Sequence, residues 1–516
     1  MSRVRNTLQN AKVSVLFHVL FIFTQFFARK VFLDHLGDEF IGLTSTLQSI
    51  LGFLNLAELG IGTAVGYTMY KPIFNKDHKE LNDLITYFGY LYKKIGLILI
   101  GSSIILAAFF PIIFDELTIN LGIVYYAFFA LLTNALLGYF FNYHLFLLQA
   151  DQKAYIVEKY AQSFTISKIL LQCLFVFYLQ SFFIWITLEL ISSILFSFYL
   201  RKQIAKEYPW LIISNKIQNK DIKKFPLLLQ KIKQISVHKL GTFVSSGTDN
   251  ILIFKYISIE SVAYYGNYML IISNLTALIM KLFSGTNASV GNLVAENDPA
   301  NIKKVFWEFM ALRFFIASLS TLAILKLLDP FISLWLGSQY ILESSTLIFF
   351  SINFFILQVR QPVDVFIQAY GLYQDIWSPI TQSIINLVFS IILINIYGIT
   401  GVLMGTTISL ILIIMIWRPY FVFTQGFKRD IREYIVGFLK LILSAMITLV
   451  TVNYLSEQFY NITIETWFHW LLMSLKIIAL SVIINFVIMY VLNKGFRDVV
   501  KRMLHLMLKK RKKNEG

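Results

Sequence analysis

The chain has 516 residues, of which 57% are hydrophobic and 14% charged, and its formal net charge is +16. A soluble domain is roughly 45–50% apolar and about 25% charged, so this excess of apolar side chain cannot be hidden in a water-soluble core. Apolar stretches of about 20 residues, long enough to cross roughly 30 Å of hydrocarbon as helix, recur from one end to the other, and the short alternating segments of an outer-membrane barrel are missing. Composition therefore predicts an all-α polytopic membrane protein. The basic N-terminus MSRVRNTLQNAKVSV is followed by no small-residue cleavage motif, so the first apolar run reads as a retained span. The lone cysteine, Cys173, lies in an apolar segment and excludes an intramolecular disulfide framework.

In chain order, spans are expected near 13–33, 41–68, 84–110, 120–148, 155–178, 181–200, 235–256, 262–285, 304–327, 344–368, 377–395, 398–417, 433–453 and 467–492, about fourteen in all. An even number places both termini on one side, and the loops test this independently. Counting from an inside N-terminus, the outer connections (HLGDEF, PIIFDELTIN, LQSF, YISIES, DPFISLWLGSQYILES, NIYGIT, YLSEQFYNITIE) contain no lysine or arginine. The inner ones hold YKPIFNKDHKE, the basic 201–233 stretch, NDPANIKK, RPYFVFTQGFKRDIRE and the KKRKK tail. Positive charge kept inside predicts two cytoplasmic termini, and the net charge is mostly this topology signal. The tail KGFRDVVKRMLHLMLKKRKK reads as a membrane-surface anchor and not as a nucleic-acid arm.

The 201–233 loop separates two blocks of six spans, with two more appended. HLGDEFIGLTSTLQSI (35–50) aligns without gaps on YISIESVAYYGNYMLI (256–271), Glu39 over Glu260 and Ile50 over Ile271. Gln149–Ala150 match Gln368–Ala369, and Gln162–Ser163 match Gln382–Ser383, at nearly the same offset. Six spans return the chain to its starting side, so the lobes are parallel repeats about an axis along the membrane normal. The expected organisation is a six-helix lobe over 1–200, a basic cytoplasmic linker over 201–234, a second six-helix lobe over 235–424, two further transmembrane helices over 425–493 and a basic tail over 494–516.

RKVFLDHLGDEFIGLTSTLQSILGFLNLAELGIGTAVGYTMYKPI, TDNILIFKYISIESVAYYGNYMLI, SVGNLVAEND and RQPVDVFIQAYGLYQDIWSPITQSIINLVFSIILINIYGITGVLMGT carry a resemblance. Across most of the first twelve spans the chain resembles the polysaccharide flippases of the multidrug/oligosaccharidyl-lipid/polysaccharide (MOP) exporter superfamily. The resemblance implies two lobes in a V around a central cavity, alternating access, and transfer of an undecaprenyl-diphosphate-linked oligosaccharide to the periplasmic face for O-antigen, capsule or related surface polysaccharide. It implies residence in the bacterial inner membrane, with downstream polymerase or ligase components as partners.

The charges inside the spans argue the same chemistry from the residues. A diphosphate-linked glycan loses the hydration of its charge and its hydroxyls in hydrocarbon. Arginine and lysine in a cavity replace that water with charge-assisted hydrogen bonds. The candidate cavity cations are Arg29, Lys239, Lys281, Arg313 and Arg360, while Lys30, Lys255 and Lys326 lie near outer span ends where snorkelling explains them as well. Lys281 and Arg313 are closer to the cytoplasmic thirds, where burial is in part only apparent. Arg360 precedes Pro362, which should loosen the helix, and Asp364 four residues on offers an intrahelical ion pair as the alternative to a cavity role. Asp249, Asp364 and Glu58 are the coupling or ion-pair acids. Asp249 sits in the polar run SSGTDN as a partner to Lys239 or Lys281, a coupling site, or a helix-packing group, and Glu58 in AELGIG reads chiefly as a cap or packing residue. Gly398, Gly401 and Gly405 form a close-approach face, and His18 reads as a satisfied polar contact.

No metal-ligand cluster, phosphate-binding glycine loop or nucleophile elbow appears in the sequence. The expectation is a non-enzyme without a cofactor, driven by a proton gradient, a sodium gradient or mass action. A cation-coupled multidrug exporter of the same superfamily is the first alternative; it is disfavoured by the two extra spans and the cation-rich interior. A membrane polysaccharide polymerase or ligase is the second, disfavoured by short outer loops without a basic pair.

Overall fold

The computed structural model describes residues 2–55, 61–151, 153–212, 247–283, 286–372, 374–459 and 464–514; among them every regular element is helical. Two compact units divide the chain, Met1–Ala263 and Tyr264–Gly516.

The first unit holds α1 (Ser2–Leu54), α2 (Ile61–Asn75), α3 (His78–Ala107), α4 (Phe110–Ile113), α5 (Leu121–Phe140), α6 (Leu145–Ala150), α7 (Ala154–Leu179), α8 (Phe182–Glu207) and α9 (Asp249–Tyr256). Polar residues between the apolar runs cap the spans. Asp77 accepts from the Glu80 amide at the start of α3, and Asn120 from the Gly122 amide at the start of α5, satisfying N–H groups that a helix end leaves open. α1 is two helices joined at Gly37, whose φ of +82° suits glycine. Phe32 before the break and Phe40 after it both pack edge-on against Trp185 of α8, at 5.9 and 5.4 Å between centroids. The first part of the span expected over 41–68 lies in α1 and its last part in α2, and residues 56–60 between them lie outside the described residues. Most of the span expected over 235–256 lies outside the described residues, with α9 as its visible end.

The second unit holds α10 (Ile259–Leu282, whose first turn belongs to the first unit), α11 (Thr286–Ala295), α12 (Pro299–Trp335), α13 (Ser344–Val359), α14 (Gln361–Ala369), α15 (Trp377–Phe427), α16 (Ile431–Phe459), α17 (Trp467–Leu492) and α18 (Lys494–Asn514). Asp298 caps α12 by accepting from the Ala300 and Asn301 amides, with Pro299 as first helical residue. The span expected over 344–368 breaks at Arg360, between α13 and α14, where Pro362 brings no amide hydrogen to the ladder. α15 turns back on itself at Gly398 (φ +55°): Ser390 Oγ donates to the Val402 carbonyl at 3.1 Å, and Asn386 Nδ2 to Thr406 Oγ1 at 2.8 Å. The 51-residue helix is thus a hairpin of two crossings, as expected for 377–395 and 398–417. Phe306 sits at the centre of this unit's core, edge-on to Phe366, Phe423 and Phe427.

Ten helical segments of the described residues are long and apolar enough to span a bilayer. Only 22% of the most apolar window of α7 and of α17 is buried within the protein, against 61% for Ser344–Ala369, so the former present their sides to lipid and the latter is packed among helices. Two of the stretches aligned in the sequence fall at helix boundaries. The aligned blocks 35–50 and 256–271 both cross a helix break, at Gly37 and at 257–258, and the matched pairs Gln149–Ala150 and Gln368–Ala369 both close a helix, α6 and α14.

The hairpin tests the packing argument directly. A methyl group at Gly405 would collide with the Ser390 backbone and hydroxyl, and one at Gly401 with the Leu393 carbonyl, whereas nothing lies within 4 Å of one at Gly101 in α3. Gly405→Ala is expected to destabilise by about 1–3 kcal/mol, read as a lower Tm of the detergent-solubilised protein, while Gly101→Ala leaves Tm unchanged or raised. Equal Tm values for the two variants would contradict a close-packed hairpin.

Candidate functional site

Charges inside a spanning region persist only where something nearby replaces water. In the first unit Arg29 is half-buried and its Nη2 donates to the Ala263 carbonyl at 2.9 Å. Lys30, one residue on, points to the exposed side and pairs with Asp34 at 3.3 Å, with both side chains half exposed, a contact of the kind that contributes little. Asp249 is buried as the first residue of α9, and the neighbouring Asn250 Nδ2 donates to Ser49 Oγ at 3.0 Å. Its carboxylate occupies the positive end of that helix dipole. Lys239, Glu58, Ser245 and Ser246 lie outside the described residues.

A further pair in this unit escaped the sequence reading. Lys168 of α7 donates to Glu189 of α8 at 2.7 Å; Gln172 Nε2 donates to the Trp185 carbonyl at 3.0 Å and reaches Glu189 Oε2 at 3.4 Å. A lysine in the middle of the 155–178 apolar run was the signal, with Glu189 as the complementary charge one span away. Beyond the spans, Lys153 bridges Asp151 (2.9 Å) and Glu207 (3.2 Å) and joins the ends of α6 and α8. Burial alone would lower the Lys153 pKa, but the hydrogen bonds and charges of the two carboxylates outweigh it and hold the ammonium above its usual range.

In the second unit Arg313 is 2% exposed, so its burial is genuine and not the apparent burial of a residue near a span end. Its guanidinium lies 3.9 Å from the Phe283 ring centroid and 5.6 Å from that of Phe309, and Nη1 donates to Gln358 Oε1 at 3.3 Å. Among the described residues no carboxylate pairs with Arg313, and its Nε makes no hydrogen bond. Ring faces and one amide oxygen offset part of the lost hydration, which leaves a buried cation with donor capacity to spare. Lys281 is half-buried in the last turn of α10.

Arg360 makes the intrahelical pair foreseen as the alternative, Nε to Asp364 Oδ2 at 3.1 Å. The other carboxylate oxygen is taken by Arg418 of α15, Nη1 to Oδ1 at 2.5 Å. Two guanidinium groups thus share one carboxylate, and the cluster retains a positive charge at the break between α13 and α14. Arg418 was passed over in the sequence because it stands one residue beyond the 398–417 apolar run. Lys326 reaches Glu457 of α16 at 3.7 Å, and Lys255 is exposed at the end of α9 as a snorkelling residue would be. Among the described residues no group of His, Cys, Asp and Glu side chains is arranged to hold a metal ion.

This fold of broken and hairpin helices is shared with solved membrane transporters. The chain is similar to the lipid II flippase MurJ in an inward closed conformation, with a TM-score of 0.64 and 17% identity over 95% of this chain and 99% of that one. An inward-facing multidrug resistance MATE transporter of the MOP superfamily superposes with a TM-score of 0.60 and 14% identity, covering 80% of this chain and 98% of that one. A MOP superfamily transporter from Pyrococcus furiosus, described as having a binding pocket of reverse polarity, gives 0.55 and 14% over 83% and 97%. No family model matches the sequence. No curated protein matches it either. The chain is an all-helical, multi-pass membrane protein with the fold of the MOP superfamily, and its structural neighbours are flippases and exporters.

The shared carboxylate makes an asymmetric prediction. Asp364→Ala leaves two guanidinium groups facing each other without compensation and is expected to destabilise by about 3–5 kcal/mol. Arg360→Ala or Arg418→Ala leaves one full pair and should lower Tm by clearly less. Thermal unfolding of the three variants in one detergent checks the order, and an Asp364→Ala protein as stable as either arginine variant would refute the triad.

Proposed function

We propose that this chain is a flippase that carries a polyprenyl-diphosphate-linked oligosaccharide, of the undecaprenyl type, from the cytoplasmic to the periplasmic face of a bacterial inner membrane by alternating access. The observation that carries the reading is the cationic charge buried in the second unit: Arg313, which no carboxylate pairs among the described residues, and Arg360 with Arg418 around a single Asp364. A diphosphate entering such an environment meets donors that already lack water, and arginine supplies a bidentate fork to it. The near-complete superposition on a lipid II flippase supports a lipid-linked substrate, and the positive-inside loops support two cytoplasmic termini. Arg29, Lys239 and Lys281 are proposed as further substrate-binding cations, with Asp249 as an ion-pair or coupling acid. The driving force is a proton or sodium gradient or the consumption of sugars outside, and downstream polymerase or ligase components are the proposed partners.

The same fold serves multidrug exporters, and that reading requires acids free to attract a cationic drug. Glu189 and Asp364 are each bound to cations, which favours the flippase.

A deletion strain complemented with wild type, Arg313→Met or Arg360→Ala, and assayed for lipid-linked oligosaccharide on each membrane face, tests the proposal. Glycan should accumulate on the cytoplasmic face and be cleared by wild type. Arg313→Met should clear at least about tenfold less at equal expression, the loss of one charge-assisted hydrogen bond being worth about 1.5–3 kcal/mol. Unchanged glycan pools with lost resistance to cationic dyes would instead establish the exporter.

A further inference from the structure

A second concentration of positive charge lies apart from the buried arginines. A cavity of about 730 Å³ opens where the starts of α12 and α16 meet the junction of α17 and α18. Its lining includes Lys303, Lys304, Lys440, Lys494 and Arg497 against two carboxylates, Glu433 and Asp498. Glu433 is already occupied, by Lys303 at 2.9 Å and by Arg429 at 3.4 Å. Arg497 donates to the last carbonyls of α17, at Tyr490 and Val491, and keeps its charge. Lys304, Lys440 and Lys494 are exposed, so the cavity is strongly electropositive.

Two glycines that line the cavity let Trp307 approach. A methyl group at Gly437 would run into the Trp307 ring, and one at Gly495 would lie 2.5 Å from its carbonyl oxygen. The indole forms part of the lining, with Nε1 3.4 Å from Glu433. Lys440 lies nine residues into α16, roughly 13 Å along the helix axis, and its neighbours Leu439 and Leu443 are both more than half exposed. The site is therefore lysine-rich at its polar end and edged by aliphatic side chains at its deeper end. On the far side, α18 is fastened by buried Phe496, which stacks obliquely on Phe315, and by an ion pair from Arg502 to buried Glu308.

We propose that this cavity binds the phosphate headgroup of an anionic glycerophospholipid of the cytoplasmic leaflet, with its acyl chains along the outer face of α16, and that the bound lipid holds α18 against the membrane surface. The assignment rests on the orientation proposed above. A phosphate on a glycerol fits a cavity at interfacial depth with cations above and exposed leucines below, and that leaflet supplies anionic lipid. A polyprenyl diphosphate shares the phosphate chemistry, and the experiment separates the two.

The full chain in detergent is titrated with phosphatidylglycerol, phosphatidylcholine or undecaprenyl diphosphate, and lipid retention and Tm are read. A second protein carries Lys304→Ala, Lys440→Met and Lys494→Ala; all three side chains are exposed, and a Lys304→Arg/Lys440→Arg/Lys494→Arg protein controls for folding. Wild type and the arginine variant should retain phosphatidylglycerol over phosphatidylcholine and gain Tm with it; the neutral variant should bind it at least tenfold more weakly. Equal retention of phosphatidylglycerol by wild type and the neutral variant overturns the proposal, as does stoichiometric displacement of the phospholipid by undecaprenyl diphosphate. Because this readout is lipid bound and not glycan moved, it fails independently of the flippase reading.

Discussion

Everything in this protein follows from the absence of water around its spans. In hydrocarbon a backbone N–H or C=O has no partner but the chain itself, so a continuous helix is the default and any interruption must be satisfied within the protein. The interruptions obey this. At Gly398 the chain reverses and the serine and asparagine side chains of one arm bond to the other. At Arg360 the break between α13 and α14 lies in a segment most of whose apolar window is buried. The lipid-facing α7 and α17 run without interior proline.

Charge is governed by the same lack of water, as two networks show. In the first, Lys168 and Glu189 neutralise each other with Gln172 alongside, a closed network that adds no net charge. In the second, Arg313 is held by ring faces and an amide, and Arg360 and Arg418 divide one carboxylate, so positive charge is left over. Leftover buried charge is unfavourable for folding alone and becomes useful when an anionic ligand supplies the missing partner. That is the physical basis for proposing that the second unit takes part in holding a diphosphate. The basic cavity near α18 follows a different logic, since Lys304, Lys440 and Lys494 are exposed and lie next to aliphatic surface.

The composition and loop charges of the sequence determined the class of protein, because a 57% hydrophobic chain whose loops carry lysine and arginine only at alternate connections has few other ways to fold. Of the residues matched within the sequence, Gln149–Ala150 and Gln368–Ala369 both close a helix, while Gln162–Ser163 and Gln382–Ser383 lie inside helices. Arg313 and Arg360 could be picked out as charges within apolar runs, and the Arg360–Asp364 pair could be read from an i,i+4 spacing. Periodicity within one helix carries no information on what lies across from it. Only the tertiary structure decided that Arg418, 54 residues along the chain, completes the Asp364 cluster, that Arg313 meets aromatic rings and, among the described residues, no acid, and that Trp307 reaches Gly437 and Gly495 beside a basic cavity. Those contacts are set by how helices distant in sequence pack against one another, and packing is a property of surfaces that no single segment contains.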